Sequence, residues 1–336
     1  MVGGPHGDFF IFMNKIKFSS PSGLSFSSAP MHYDFDAAIV VGVCRSGKTT
    51  LCNLLATCKN VENADEPWTA KIIPLLTGLG LIGEKEGKQI FMSFITELMN
   101  DMILLRRANF RPGDLSSIWL QKNHIEIINR LTALKTREDV KIFKDKNSPL
   151  LLLNLTEVMP FLDFFFEAVG DVSMIHVVRN GRDVAYDALG KRWFSDQQLS
   201  KPRKALPYIK YQHNDLILHL PWWVSPGDED LFLSYSEYDR CIYYWCQNIQ
   251  STLLNLNLSS NNSKFMTVHY EDIMSKSRET FYNVAAFLKI KPTPLSEIAL
   301  ADLNERSKIE LNNMEVHDRK LKTRYKMMSE QLNNII

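Results

Sequence analysis

DAAIVVGVCRSGKTT, residues 36–50, joins a short apolar run to a glycine-rich turn. The run at 36–43 is polar only at its first residue, which is typical of a strand buried in a parallel sheet. Residues 42–49 match G-x-x-x-x-G-K-[ST] at every fixed position. Gly42 and Gly47 let the backbone turn sharply and approach a ligand closely. The stretch therefore predicts a strand, a phosphate-binding loop and the start of a helix.

The side chains of this loop suit an anionic ligand. Arg45 and Lys48 supply positive charge, and Ser46, Thr49 and Thr50 supply hydroxyl groups. Backbone N–H groups at the start of the following helix also point towards an anion, which the helix dipole favours. The alternative is a tight glycine turn that only connects a strand to a helix.

The rest of the chain alternates between predicted strands and helices. Further strands are predicted at 140–143, 173–178 and Phe265–His269, and helices over 86–110, 115–135, 155–169, from about 183, over 236–255 and over 280–288. This order predicts an α/β fold of three layers, in which a parallel sheet is covered by helices on both faces. The expected fold resembles that of P-loop proteins.

We expect one main domain. The predicted parts are an irregular lead-in at 1–35, an α/β domain at 36–300 with an irregular substrate cap at about 193–245, and a tail or helix at 301–336. Aromatic residues are frequent in the cap, which suits an acceptor or adenine pocket or, equally, a satellite core beneath a long loop.

Composition excludes several classes of protein. The 336 residues carry 39 Lys and Arg against 38 Asp and Glu, so a protein that coats nucleic acid is not expected. No apolar stretch is long enough to predict a membrane span. The five cysteines form no C-x-x-C pair, so neither a disulfide framework nor a zinc site is indicated. We expect a cytoplasmic protein without a bound metal.

A second basic turn follows the strand predicted at 173–178. HVVRNGRDVAYD, residues 176–187, places Arg179 and Arg182 on either side of Asn180 and Gly181. Two guanidinium groups at the carboxyl edge of a parallel sheet suit a second phosphate. The alternative is a pair of surface arginines that bind helix caps or an acid such as Asp183.

Three separated segments resemble the 3′-phosphoadenylyl-sulfate-dependent sulfotransferases. RSGKTTL at 45–51 is similar to the family's 5′-phosphosulfate loop, and VVRNGRDVA at 177–185 to its 3′-phosphate strand and turn. VHYEDIMSKSRETFYNVAAFLKI at 268–290 is similar to its late strand and helix. The resemblance implies a nucleotide-kinase-like α/β fold, 3′-phosphoadenylyl sulfate (PAPS) as cosubstrate and its desulfated form (PAP) as product.

The resemblance also implies roles for individual residues. Arg45, Ser46, Gly47, Thr49 and Thr50 would hold the 5′-phosphosulfate, and Arg45 would neutralise the bridging oxygen as PAP departs. Lys48 stands where the family usually has Thr and would add a second charge beside the sulfuryl group.

The same resemblance implies roles for residues of the second basic turn. Arg179 would hold the 3′-phosphate. Asp187 stands where the family usually has a Ser that binds this phosphate, so its carboxylate should repel the phosphate unless Arg182 or Lys191 compensates. The family's C-terminal nucleotide-closing loop is not recognisable, although basic residues near the C-terminus could replace it: Arg306, Lys308, Arg319, Lys320, Lys322 and Arg324.

The acceptor side needs a base to take the acceptor's proton. One branch of the family uses a histidine in K-x-H, but the corresponding 141–149, KIFKDKNSP, has none. Another branch uses a glutamate after the first helix, which matches Glu66 in DEPW at 65–68. Glu66 is therefore the candidate base, or else a carboxylate at a helix start. Lys146 resembles a lysine that contacts the transferring group, or is simply a solvated lysine.

The sequence thus predicts a sulfotransferase acting on a hydroxyl or amine, by in-line transfer without a metal. A P-loop kinase or NTPase using Mg-ATP is the runner-up, although its acid at the end of a second strand is not evident and Asp145 is the best candidate. A noncatalytic nucleotide-binding protein is the third possibility. The acceptor would be a small molecule or a glycan, and a tyrosyl peptide stays open, as does the oligomeric state.

Overall fold

The computed structural model describes residues 34–202, 207–258, 264–306 and 314–333. Its strands are β1 (Asp36–Gly42), β2 (Val61–Ala64), β3 (Leu150–Thr156), β4 (Val172–Val178), β5 (Tyr208–His213), β6 (Leu216–Pro221) and β7 (Phe265–His269). Its first eight α-helices are α1 (Lys48–Ala56), α2 (Trp68–Gly78), α3 (Glu84–Ile103), α4 (Ile118–Gln121), α5 (His124–Ala133), α6 (Arg137–Asn147), α7 (Leu162–Val169) and α8 (Gly181–Gly190). The others are α9 (Asp196–Leu199), α10 (Glu229–Ser234), α11 (Glu237–Leu258), α12 (Tyr270–Ser275), α13 (Ser277–Phe287), α14 (Pro294–Arg306) and α15 (Arg319–Asn333).

Five parallel strands form the central sheet in the order β2-β3-β1-β4-β7. In this register Gly42 at the end of β1 lies beside Thr156 at the end of β3. Val178 at the end of β4 lies beside His269 at the end of β7. The carboxyl ends of all five strands therefore meet at one edge, where the loops after them can form a common site.

Side chains of β1 alternate between two hydrophobic layers, as the pleat of a strand requires. Ile39 and Val41 pack in the cluster that includes the apolar faces of α3 and α7. Ala38 and Val40 pack in the cluster that includes α1 and α13. Helices thus cover both faces of the sheet, which confirms the predicted three-layer α/β fold.

A third hydrophobic cluster joins α8, α11 and α15 to the segment between them. Tyr243, Tyr244 and Trp245 of α11 are almost fully buried in it. The aromatic residues of the predicted cap therefore build a satellite core rather than an open pocket. The described part of the cap also contains the antiparallel hairpin β5–β6, which the sequence analysis did not predict.

The strand predicted at 140–143 is wrong, because these residues lie inside α6. Thr136 and Asp139 form a capping box that starts this helix, and only Val140 and Lys144 of the helix are buried. The sheet instead contains β2 at Val61–Ala64 and β3 at Leu150–Thr156, neither of which was predicted. The helix predicted over 155–169 begins only at Leu162. A continuous apolar run has no periodicity that separates a buried strand from a buried helix.

Most of the predicted lead-in at 1–35 lies outside the described residues, and the division into a main domain and a tail stays a prediction. The predicted tail includes the end of α14 and the whole of α15. Within the described part of the chain, no helix combines the length and apolar character needed to cross a membrane.

Candidate active site

The loop between β1 and α1 has the backbone that its glycines predict. Gly47 has a φ of 92°, and a Cβ there would come within 2.1 Å of the Tyr270 ring. Gly42 has a φ of 150°, and its Cβ would lie 2.4 Å from the carbonyl oxygen of Val177. Both positions need glycine, because the loop is packed closely against the start of α12 and the end of β4.

The start of α1 is left open to a ligand. Its N-cap residue, Gly47, has no side chain to accept a hydrogen bond from the first-turn N–H groups. The Ser46 hydroxyl is fully buried and has no hydrogen-bond partner. Unsatisfied donors at a helix N-terminus favour an anion, so this turn fits a phosphate or phosphosulfate group.

Lys48 is folded back onto its own loop. Its ammonium group is buried and donates to the carbonyl oxygen of Val43 at 2.7 Å. Burial lowers the pKa of Lys48, and the nearby Cys44 and Glu66 oppose this effect. A ligand oxygen that replaced the Val43 carbonyl would stabilise the charged ammonium, so Lys48 is available to an anion in the loop.

Thr49 of α1 belongs to a chain of polar side chains that runs through β3 to the end of β2. The amide nitrogen of Asn154 in β3 donates to Thr49 Oγ1 at 3.2 Å and to Asp65 Oδ1 at 2.9 Å. Asp65 comes directly after β2. Thr50 is half-buried in the first turn of α1. The Thr49 hydroxyl oxygen thus already accepts a hydrogen bond from a neutral amide.

Arg45 and Arg179 are brought together by Asp187. Arg179 Nη1 lies 2.7 Å from Asp187 Oδ2, and Arg45 Nε lies 3.5 Å from the same oxygen. Arg179 also donates to the carbonyl oxygen of Arg45 at 2.9 Å, and its guanidinium lies over the Tyr270 ring. The compensating charges for Asp187 are therefore these two arginines, not Arg182 or Lys191 as the sequence analysis expected.

Arg182 turns towards the C-terminal helix. Its guanidinium carbon lies 5.7 Å from the centre of the Tyr325 ring in α15. The Tyr325 hydroxyl donates to Asn180 Oδ1 at 3.3 Å, and the same oxygen caps α8 by accepting from the Arg182 N–H. Glu271 accepts from the Asn180 N–H at 2.9 Å. The start of α8 is thus held by α12 and α15.

The basic residues near the C-terminus that were expected to close the site differ in their contacts and exposure. Arg324 binds the side-chain oxygens of Gln247 and Gln250 on α11. Lys322 forms an exposed pair with Glu315. Lys308 lies outside the described residues. Arg319 and Lys320 begin α15 and are exposed.

The two candidates for the acceptor side lie at opposite ends of the sheet. Glu66 is exposed directly beyond the carboxyl end of β2, with a φ of 45°, and acts electrostatically on Lys48. Lys146 is exposed near the end of α6, before β3 begins. β3 is seven residues long, about 23 Å, so Lys146 does not join the loop. Its predicted contact with the transferring group conflicts with this geometry.

A buried ion pair beside the loop was missed by the sequence analysis. Glu157 comes directly after β3, and its carboxylate accepts from Lys71 Nζ of α2 at 2.8 Å. Burial alone raises the pKa of Glu157, but the charge and hydrogen bond of Lys71 hold this pKa below its usual value. The Tyr244 hydroxyl accepts from the Cys44 N–H at 2.9 Å, which ties the loop to α11.

Glu157 is an acidic residue at the end of a strand, which is the kind of residue that the runner-up function requires. The sequence candidate, Asp145, is instead exposed on α6, away from the loop. Among the described residues no group of three or more His, Cys, Asp or Glu side chains is arranged to hold a metal ion.

Comparisons with known proteins agree with the resemblance. A family model described as "Sulfotransferase domain" matches residues 35–332. A search of curated proteins gives no match. Similar solved structures include the sulfotransferase domain of the Synechococcus PCC 7002 olefin synthase, at 15% identity and a TM-score of 0.47, covering 92% of this chain and 98% of that one. A Mycobacterium avium sulfotransferase is 9% identical, with a TM-score of 0.46 and coverage of 90% and 77%. A mouse sulfotransferase in complex with PAP is 10% identical, with a TM-score of 0.34 and coverage of 87% and 75%.

Proposed function

Because this chain belongs to the sulfotransferase domain family, we propose that it transfers the sulfuryl group of PAPS to a hydroxyl or amine acceptor and releases PAP. The observation that carries this proposal is the open start of α1. Its uncapped N–H groups, the buried and unpartnered Ser46 hydroxyl and the charge of Arg45 converge on one loop. These groups fit the phosphosulfate end of such a donor.

The other end of the donor would lie towards β4. Arg179 follows β4, and its Nε is buried without a hydrogen-bond partner, so it can still bind a 3′-phosphate oxygen. The Nη1 atom of Arg179 is already engaged in an ion pair with Asp187. The proposed donor therefore has to compete with Asp187 or lie beside it.

The transfer itself needs a base and cations but no covalent intermediate. The acceptor oxygen or nitrogen attacks sulfur in line with the bond from sulfur to the bridging oxygen. That bond breaks, and its electron pair stays on the phosphate of PAP. Arg45 and Lys48 would stabilise this developing charge, and the Glu66 carboxylate would take the acceptor's proton.

The runner-up, a kinase or NTPase using Mg-ATP, has one observation in its favour and two against it. Glu157 follows β3, next to β1, where an acid that helps to hold magnesium would lie. Its carboxylate, however, is paired with Lys71, and the hydroxyl oxygen of Thr49 accepts from Asn154. Both groups that would hold the metal are engaged by cationic or neutral donors.

The third possibility, a noncatalytic nucleotide-binding protein, rests on Asp187. This carboxylate neutralises part of the positive charge that a nucleotide donor would use.

For the transferase we propose a small-molecule or glycan acceptor. We also propose a cytoplasmic location, which is supported by five cysteines that are all free thiols.

The test is a turnover assay with sulfur-labelled PAPS and a panel of acceptors. Arg45→Ala and Glu66→Gln should each lower kcat at least about 100-fold, because each removes a charge or base used in the transition state. Arg137→Ala and Glu138→Gln, exposed at the start of α6, are the matched controls and should keep full activity. Transfer that needs ATP and magnesium instead of PAPS would contradict the proposal.

A further inference from the structure

The exposed side of α5 carries a stripe of three large aliphatic side chains. Ile125, Ile128 and Leu131 are 68%, 56% and 50% exposed. Their spacing of three residues places them along one side of the helix, because a turn has 3.6 residues. Large aliphatic side chains that lie together in water, rather than singly, mark a surface that binds another surface. The stripe therefore indicates an interaction surface.

A groove of about 560 Å³ lies beside this stripe, between α5 and α6. Ala133, Leu134 and Phe143 give it an apolar lining. Arg130 also lines the groove, but its guanidinium lies over the Phe143 ring and pairs with Glu62 at 2.9 Å. The charge of this arginine is thus neutralised within the protein, and the groove suits aliphatic side chains from outside.

The stripe and the groove suit each other in shape. Ile125 lines the groove, whereas Ile128 and Leu131 lie on the other side of Ile125 around the helix axis and form a ridge. Helices pack by placing the ridges of one into the grooves of the other. Two copies related by a twofold axis use the same surface, so each can place its ridge in the groove of the other. One surface therefore supplies both halves of a symmetric interface.

The charges at the two ends of α5 favour an antiparallel arrangement of such copies. Glu126 lies in the first turn, and its side chain is 43% exposed. Lys135 and Arg137 follow the last turn and are exposed. In an antiparallel pair the acidic start of each helix lies beside the basic end of the other, and the two helix dipoles also attract. A second copy of this chain thus matches the surface in charge as well as in shape.

A membrane matches the same surface less well. Exposed acidic and basic residues alternate around it, because Glu138 and Lys141 of α6 lie near Lys135 and Arg137 in the chain. Helices that lie on anionic membranes carry a surplus of lysine and arginine beside their apolar face. This mixed charge favours a protein partner.

We infer that α5 is the centre of a symmetric, antiparallel interface between two copies of this chain. Ile128 of each copy packs against Leu131 of the other, beside the groove of that copy. Glu126 of each copy lies near Lys135 of the other. The interface is beside β2, the edge strand of the sheet, because α5 is attached to β2 by the pair of Arg130 with Glu62. The inference does not depend on the proposed sulfuryl transfer.

Sedimentation velocity of the full chain at about 1–100 µM tests the interface. The wild type should form a dimer with a Kd in the micromolar range. Ile128→Glu should weaken the dimer at least about 100-fold, because it buries two unpaired carboxylates in the symmetric contact. Ile298→Glu is the matched control, since Ile298 of α14 is 59% exposed and lies outside this surface, and it should form dimers as the wild type does.

A charge swap tests the antiparallel arrangement. Glu126→Lys and Lys135→Glu should each weaken the dimer about three- to tenfold, and the double variant should regain most of the lost affinity. A wild type that stays monomeric at about 100 µM, a dimer that Ile128→Glu leaves intact, or a double variant no better than the single ones would overturn the inference. A monomer that binds vesicles of phosphatidylserine and phosphatidylcholine through Ile128 would also overturn it and favour a membrane.

Discussion

The Asp187 carboxylate contacts two arginines, Arg45 in the phosphate loop and Arg179 after β4. It neutralises charge that an anionic ligand would otherwise use. We predict that Asp187→Ser binds PAP about tenfold more tightly than the wild type, since a negative charge beside the ligand phosphate is removed. Titration calorimetry with PAP measures this change.

Asp187→Asn is the control that separates charge from size. It keeps the shape of the side chain and should reproduce most of the gain in affinity. Unchanged or weaker binding of PAP by both variants would show that Asp187 mainly orients the arginines rather than repelling the ligand.

The pair of Lys71 and Glu157 is a second feature at the scale of single residues. Both side chains are about nine-tenths buried, so removal of one partner leaves the other charged and unpaired. We predict that Lys71→Met lowers the free energy of unfolding by about 3 kcal/mol at neutral pH. Lys88→Met, which removes a more exposed lysine from its ion pairs, should cost less than about 1 kcal/mol.

The pH dependence of this loss follows from the two pKa shifts. The pKa of Glu157 is lowered in the folded protein, so its pairing stabilises the fold at neutral pH and is lost as the pH falls through that pKa. The pKa of Lys71 is raised, so its contribution is lost only at strongly alkaline pH. The difference between wild type and Lys71→Met in urea unfolding should therefore shrink in acid. A difference that grew in acid would contradict the ion pair.

At the scale of elements, the junction of β1, the loop and α1 depends on Gly47. Gly47→Ala would place a methyl group against the Tyr270 ring in a left-handed backbone conformation. We predict that it lowers the free energy of unfolding by about 2 kcal/mol and greatly weakens the binding of PAP. Gly190→Ala, at the end of α8 with no atom within 4 Å of the new Cβ, is the matched control. Equal behaviour of the two variants in thermal unfolding and PAP binding would refute this role of the loop.

A comparison of the observed strands and helices with the predicted ones shows which sequence signals were sufficient to predict an element. The strands β1 and β4 were predicted because each is a short apolar run that ends in a turn rich in glycine or arginine. The strand β7 was also predicted, and it lies in a segment that resembles the family. The helix α6 was missed although Thr136 and Asp139 carry the pattern of a capping box. The strand β3 was not predicted, because its apolar run shows no period, and the helix predicted over 155–169 overlaps its last two residues. Glu157 was therefore not recognised as a residue at a strand end.

At the scale of the whole molecule, the order of strands explains why distant segments meet. The central position of β1 places the phosphate loop between the end of β3 and the end of β4. Strand order and the family resemblance were enough to predict that the loop and the turn after β4 lie at the same edge of the sheet. The contact of Arg45 with Arg179 through Asp187 was not predicted. The burial of Lys71 with Glu157 and the contact of α15 with the start of α8 depend on three-dimensional packing that no local pattern encodes.

Titration calorimetry of the purified protein with PAP and with ATP, each with and without magnesium, tests the central claim most directly. A sulfuryl-transfer site should bind PAP with or without the metal and bind ATP weakly, because the Thr49 hydroxyl and the Glu157 carboxylate are already engaged. Binding of ATP that requires magnesium, together with no binding of PAP, would contradict the claim and favour a kinase or NTPase.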